Sequence, residues 1–281
     1  MTAAHAPLQI DSLRRACAGA RFGHTIHSFE TIASTNTLAQ RLAADGAAEG
    51  TVVIAEAQTQ GRGRLGRSWI SPAFRNLYLS IVLRPPIPAE RAPQIGLVAG
   101  LATAETIRDW GADVALKWPN DVLLGGRKVA GMLTELDAED QHVRYVILGI
   151  GVNLNTAPAE FPEELRAKAI SLCAVTGGCV DRTAFATRLL SRLQERYELF
   201  LRAGFAPLGP LCEALSSLGG RRVRIDGGAQ QHEGVVVGIS ADGRLRVRDD
   251  RGHEIQVVAG EVTVVGGYAA GDVGRAVPGA N

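Results

Sequence analysis

"GRGRLGR", residues 61–67, sets Gly61, Gly63 and Gly66 in the G-x-G-x-x-G spacing of a dinucleotide-binding turn, with three arginines interleaved. The fold turns on what flanks it. A Rossmann fingerprint needs a strand, the glycines, then a helix whose N-terminus meets the pyrophosphate. "TVVIAEAQT" (51–59) reads as the strand, but "RSWISP" (67–72) follows, Pro72 opposes a helix, and "NLYLSIVLRP" (76–85) reads as a second strand. The glycines therefore join two strands, and no G-x-x-x-x-G-K-[ST] phosphate loop is present. Three readings stay open: a solvated basic loop, a nucleic-acid patch with Trp69 as a stacking surface, or an anion cradle. In the last, glycine admits close backbone approach while arginine forks neutralise oxygens, which suits a triphosphate or acyl phosphate.

Outward from this loop the chain alternates helices and strands. In "STNTLAQRLAADG" (34–46), Ser34 or Thr35 can cap a helix presenting Leu38, Leu42 and Ala43, with Gly46 as its stop. Residues 93–110 carry an apolar helical stripe ending at Gly111. "VALKWPNDVLL" (114–124), a Gly125-Gly126 turn, "RKVAGMLTEL" (127–136) and "VRYVILGIGVNLN" (143–155) read as largely antiparallel strands. The pattern weakens over 156–180. Residues 181–204 give the clearest helix, capped by Asp181, with Phe185, Leu189, Leu193, Tyr197 and Phe200 on one side.

After Gly219-Gly220 the texture changes to five short strands at 221–225, 233–239, 245–249, 254–258 and 261–265, the spacing of a small β-barrel. The expected class is α+β: a mixed, largely antiparallel sheet flanked by helices over 1–218, a small barrel over 219–267, and a tail at 268–281 too poor in apolar residues to pack.

Thirty Lys and Arg against twenty-nine Asp and Glu in 281 residues leave a formal charge of +1, so any polyanion site is local. No apolar run is long enough to span a bilayer and the first twenty residues lack a secretory core, so a cytoplasmic protein is the simplest reading. Cys17, Cys173, Cys179 and Cys212 form no C-x-x-C pair and read as reduced thiols; His24 and His27 have no ligand cluster beside them.

A second stretch, "KWPNDVLLGGRKVAGMLTEL" (117–136), places Lys117, Asn120 and Asp121 around Pro119 and brings Lys128 and Gly131 onto the next strand. Alone, it reads as a turn and a hairpin. With the arginine loop it supplies what nucleotidyl transfer requires: cations for phosphates, a carboxylate for Mg²⁺ or a proton, and a lysine to fix an attacking carboxylate.

At these residues the chain resembles the biotin protein ligases. The matches, in the family's order, are "STN" (34–36), "AEAQTQGRGRLGRSW" (55–69), "NLYLSIVLRP" (76–85), "LKWPNDVLLGGRKVAGMLTEL" (116–136) and "GIGVNLN" (149–155), and the resemblance spans roughly residues 25–265. It implies a biotin/lipoate ligase-like catalytic fold with an SH3-like C-terminal domain, either a packing cap on the catalytic domain or a helper in binding ATP or the carrier protein. It also implies a two-step reaction: biotin and ATP give biotinyl-5′-AMP, then a lysine of a biotin carboxyl carrier domain takes the acyl group. By position, Ser34, Thr35, Asn36 and Gln58 would meet the biotin ureido head, with Leu133 along the valeryl chain. Gly61, Arg62, Gly63, Arg64, Lys128 and Gly131 complete the expected biotin contacts. Arg62, Arg64, Arg67, Trp69, Lys117, Asn120 and Asn153 are expected on the nucleotide and its phosphates. Lys128, Arg64 and Asp121 are the expected catalytic groups, Asp121 also as the Mg²⁺ ligand.

Lipoate or octanoyl ligases share the acyl-adenylate logic, but "GRGRLGR" with "KWPND" favours biotin; a nucleic-acid module is the remaining alternative. About twenty-five residues precede the matching region, too few for the helix-turn-helix unit of some relatives, so no specific DNA partner and no membrane partner is expected. Monomer and homodimer both stay open. Residues 156–180 should cover the adenine, yet Phe161 is the one aromatic there, and the stacking residue is unassigned.

Overall fold

The computed structural model describes residues 6–227 and 231–268. In chain order the elements are α1 (Ile10–Ala16), β1 (Ile26–Ile32), α2 (Thr35–Ala44), β2 (Val52–Gln58), β3 (Leu77–Leu83), α3 (Pro93–Asp109), β4 (Ala115–Lys117), β5 (Asp121–Leu124), β6 (Arg127–Glu139) and β7 (His142–Val152). There follow α4 (Glu163–Arg166), α5 (Cys173–Thr176), α6 (Arg182–Ala203), α7 (Gly209–Ala214), β8 (Arg222–Asp226), β9 (Gln231–Ile239), β10 (Leu245–Arg248), β11 (Glu254–Val257) and β12 (Glu261–Val264).

The first seven strands form one sheet in the order β1-β2-β3-β7-β6-β5-β4, with only β1 and β2 parallel. That parallel pair needs a crossover, and α2 supplies it. Sequence reading missed α1 and β1: six of the seven β1 residues are intermediate or exposed, so "IHSFETI" carries little apolar signal. The last five strands form an antiparallel sheet, β11-β10-β9-β8-β12. The expected disordered tail lies outside the described residues, apart from Tyr268, whose hydroxyl is 3.1 Å from Ser217 Oγ.

The large sheet has two unlike faces, set by the period of two along each strand. Leu77, Leu79, Ile81 and Leu83 of β3, with Val146, Leu148, Ile150 and Val152 of β7, enter the main core against α3 and α6. Val82 and Ile147 point the other way and pack with Ala39 and Ala43 of α2, Val53 and Tyr145. Along that second face the residues beyond Val82 and Ile147 are Ser80, Gly149 and Gly151 instead of apolar side chains. α2 therefore covers only one end of the face. The part that α2 leaves uncovered becomes the floor of a cavity.

Caps fall where sequence places them. Ser34 accepts from the Thr37 amide at 3.4 Å, and Asp181 accepts from the amides of Thr183 and Ala184 at 2.9 and 3.0 Å. The start of α6 also holds a buried ion pair: Arg182 donates to Glu56 of β2 at 2.6 Å, the two side chains being 4% and 9% exposed. Arg182 further donates to the carbonyls of Asn76 and Ala6, and Glu56 accepts from the Leu8 amide. One clasp thus fixes the N-terminal segment, β2 and α6. None of the described helices is long and apolar enough to cross a membrane.

Removing one partner of a buried pair strands the other charge. Glu56→Ala should therefore lower unfolding free energy by about 3–5 kcal/mol, read from urea denaturation. A loss below about 1 kcal/mol would show that Arg182 is re-solvated instead.

Candidate active site

The arginine loop is a small hairpin closed on itself. Arg62 bridges Ser68, the Gly63 amide donates to the Arg67 carbonyl at 2.7 Å, and the Trp69 amide donates to Gly61 O at 2.8 Å. A Cβ at Gly61 would lie 2.3 Å from the Trp69 carbonyl, so glycine is required there by the closure itself. The Gly63 amide is thereby occupied in closing the hairpin.

The hairpin folds over the open part of the sheet, and two cavities meet beneath it. The smaller, about 50 Å³, is lined by Ser34, Thr35, Asn36, Gln58 and Arg62 and floored by Gly131, Leu133, Gly149 and Gly151. The larger, about 290 Å³, is lined by Arg67, Lys117, Asp121, Asn153, Phe161 and Glu261, among others. Gly63, Arg64, Trp69, Asn120 and Lys128 line both. Of the sequence-expected residues, Gly61 alone lines neither; its part is structural.

A chain of hydrogen bonds surrounds the smaller cavity. Thr35 donates to Gln58 Oε1 from its amide at 2.9 Å and its hydroxyl at 3.1 Å, and Gln58 Nε2 donates to Ser71 Oγ at 3.0 Å. Ser80 Oγ lies 2.8 Å from Thr35 Oγ1 and 2.5 Å from Asn36 Oδ1, while Asn36 Nδ2 donates to Glu135 Oε2 at 2.8 Å. Arg62 completes the circuit at 2.8 Å from Glu135 Oε1. The floor is bare because it has to be. A Cβ at Gly149 would sit 2.2 Å from Asn36 Oδ1, and one at Gly151 2.6 Å from the Trp69 ring.

At the junction Arg64 donates to Asn120 Oδ1 at 2.7 Å and to the Gly260 carbonyl at 3.3 Å; Asn120 Nδ2 donates to the Met132 carbonyl at 3.1 Å. Lys128 Nζ is 2.7 Å from Asp121 Oδ1 as an ion pair, out of line for a hydrogen bond, and 5.3 Å from the Trp69 ring centre. Burial lowers the pKa of the Arg64 guanidinium, with the Asp121 and Glu261 carboxylates opposing the shift. Burial likewise lowers Lys117, again against Asp121. Trp69 Nε1 is buried without an acceptor, an orphan donor at the boundary of the two cavities.

The covering segment is tied to the site through its backbone. The Lys128 amide donates to the Lys168 carbonyl at 2.8 Å, and the Ile170 amide returns a bond to the Lys128 carbonyl at 3.0 Å. Phe161 lies on the larger cavity wall, 7% exposed. From the other side Glu261 of β12 pairs with Arg67 at 2.5 Å.

Sequence reading missed Ser80, Glu135, Ser71, Gly149, Gly151 and Glu261. Ser80 did leave a signal, as the one small polar residue inside "LYLSIVL", and Gly149 and Gly151 repeat at the strand period.

The Biotin/lipoate A/B protein ligase family matches residues 18–153, and the Biotin protein ligase C terminal domain matches residues 218–265. A Biotin--[acetyl-CoA-carboxylase] ligase of Mycobacterium tuberculosis is 36% identical over 91% of this chain and 95% of its own length. The Bifunctional ligase/repressor BirA of Bacillus subtilis is 37% identical over 79% of this chain and 69% of its own. Among solved structures, a biotin protein ligase from Aquifex aeolicus in complex with biotin and ATP superposes with a TM-score of 0.74 at 30% identity, over 86% of this chain and 98% of that one.

Gly151→Ala should push the Trp69 ring off the floor and toward solvent. Tryptophan emission should shift to the red with an unchanged far-ultraviolet dichroism spectrum, and the difference should vanish in a Trp69→Phe background. Identical emission would mean that the ring does not rest on Gly151.

Proposed function

The chain belongs to the biotin protein ligase family, and we propose that it activates biotin with ATP and transfers the biotinyl group to a lysine of a biotin carboxyl carrier domain. The observation that carries this reading is the shared lining of the two cavities. A carboxylate held in the smaller cavity and a phosphate held in the larger meet between Arg64 and Lys128.

A ureido group offers one acceptor and two donors, and Ser34, Thr35, Asn36 and Gln58 supply partners for it, with Ser80 and Glu135 orienting Thr35 and Asn36. The glycine floor has no side chains of its own, so the bicycle would lie on it once Trp69 and Lys128, which pack over Gly151 and Gly131, move aside. The valeryl chain then runs past Leu133 and Trp69 to the junction. There Lys128 and Arg64 neutralise the carboxylate as one of its oxygens attacks the α-phosphorus of ATP. The bond to the bridging oxygen breaks and pyrophosphate leaves. Arg62, Arg67, Lys117, Asn120 and Asn153 hold the phosphates and nucleotide, and preorganised cations of this kind stabilise the charge that builds in such a transition state. In the second step the acceptor amine forms a C–N bond to the anhydride carbonyl, AMP leaves with the electron pair of the broken C–O bond, and the nitrogen loses a proton. Asp121, beside Lys128, is the carboxylate placed to assist that loss.

The donor set fits a magnesium ion that arrives on the triphosphate. No group of three His, Cys, Asp or Glu gathers among the described residues, but such ions are held by one or two carboxylates plus substrate phosphates, and Asp121 lines the larger cavity. The ion supplies neutralisation of phosphate charge.

Lys128→Ala and Arg64→Ala should each slow biotin-dependent ATP–pyrophosphate exchange by about a hundredfold or more, the scale of one lost charge-stabilising donor. Normal exchange would remove both from the catalytic set. Calorimetric titration should give binding of biotin and none of lipoate. Because burial lowers the Lys117 pKa, its charge is lost at lower pH than that of a free lysine. KM for ATP should accordingly rise on the alkaline side, and Lys117→Arg should move that limb to higher pH; superimposable profiles would exclude Lys117 from phosphate binding.

A further inference from the structure

The tip of the arginine hairpin carries a contradiction. Leu65 is 71% exposed and adopts φ 55°, ψ 37°, a left-handed conformation disfavoured for a residue with a Cβ. Gly66 follows in the same region at φ 73°, and a Cβ built there meets nothing within 4 Å, so the tip stands clear of the fold. A glycine at position 65 would relieve the strain, and a polar side chain would suit the solvent. An apolar one has neither justification in the free protein. Ile70, 44% exposed, lies on the wall of the same cavity.

We propose that Leu65, with Ile70 beside it, is the apolar anchor on which the lysine-bearing turn of the carrier domain docks for acyl transfer. The inference rests on the function proposed above. Its geometry is restrictive. Arg64 donates to Asn120, and the next residue, Leu65, lies on the wall of the larger cavity with most of its surface open to solvent. The acceptor amine has to approach the carbonyl held between Arg64 and Lys128 to within bonding range. The backbone that delivers a lysine side chain therefore stops at the rim, and Leu65 is the rim residue with most apolar surface to offer. Docking would bury that surface and so recover a favourable contact that the free enzyme lacks.

The test uses the full-length protein with Leu65→Gly and Leu65→Met. Leu65→Gly keeps the left-handed backbone, so thermal stability should be equal to or above that of the parent. Three rates are read: pyrophosphate exchange, release of free biotinyl-AMP, and transfer to an isolated carrier domain over a range of carrier concentrations. Leu65→Gly should raise KM for the carrier about tenfold, the scale of one buried leucine side chain, while exchange changes far less; Leu65→Met should restore it. An unaltered carrier KM overturns the inference. So does an equal fall in exchange and transfer, which would put Leu65 in adenylation, and so does leakage of free adenylate at unchanged KM, which would make the tip a cover for the anhydride. Absence of exchange in the parent protein overturns the functional reading itself and takes this inference with it. That result is distinct from normal exchange with an unaltered carrier KM, which overturns this inference alone.

Discussion

Arg64 donates to Asn120, and Asn120 donates to the Met132 carbonyl of β6; this two-step tie holds a hairpin of the β2–β3 connection down on the far side of the sheet. Arg62–Glu135 and Arg67–Glu261 also reach from the hairpin to β6 and β12, but both of those arginines are exposed, whereas the Arg64–Asn120 tie lies at the junction of the two cavities. The tie is costly to form because it half-buries a guanidinium, and burial accordingly lowers the Arg64 pKa. Hydrogen bonds to Asn120 and Gly260 offset that cost. A charge already desolvated and aimed needs little reorganisation when an anion arrives.

The same logic governs the other cations. Lys128 pairs with Asp121, Arg62 with Glu135 and Arg67 with Glu261. Six positive groups line the two cavities, and in three of them a resident carboxylate offsets the mutual repulsion. Lys117 has no ion-pair partner among the described residues, and it is one of the two whose pKa burial depresses. Glu261 belongs to the C-terminal sheet, so that sheet reaches the larger cavity through its pair with Arg67.

Much of this was legible along the chain, and the exceptions share a cause. Asp181 and Ser34 announced their helices because capping is local chemistry. The arginine loop and the W-P-N-D turn were legible as chemistry because charge, glycine and proline concentrate there. Glu135 was not, because its meaning comes from Asn36, 99 residues away, and Arg62, 73 residues away. Gly149 and Gly151 were not singled out, because only the register sets them opposite Leu133 and Gly131 on one face. β1 escaped because an edge strand with little buried surface leaves little pattern. Cross-strand register is the information that a single sequence withholds.

The backbone exchange between Lys128 and residues 168–170 lengthens the sheet's hydrogen-bonded edge beyond β6. A segment hung in this way on the main chain of Lys128 cannot part from it without breaking ladder bonds, so the cavity wall built by Leu165, Lys168 and Ala169 and the strand that carries the ammonium group stand or loosen as one unit.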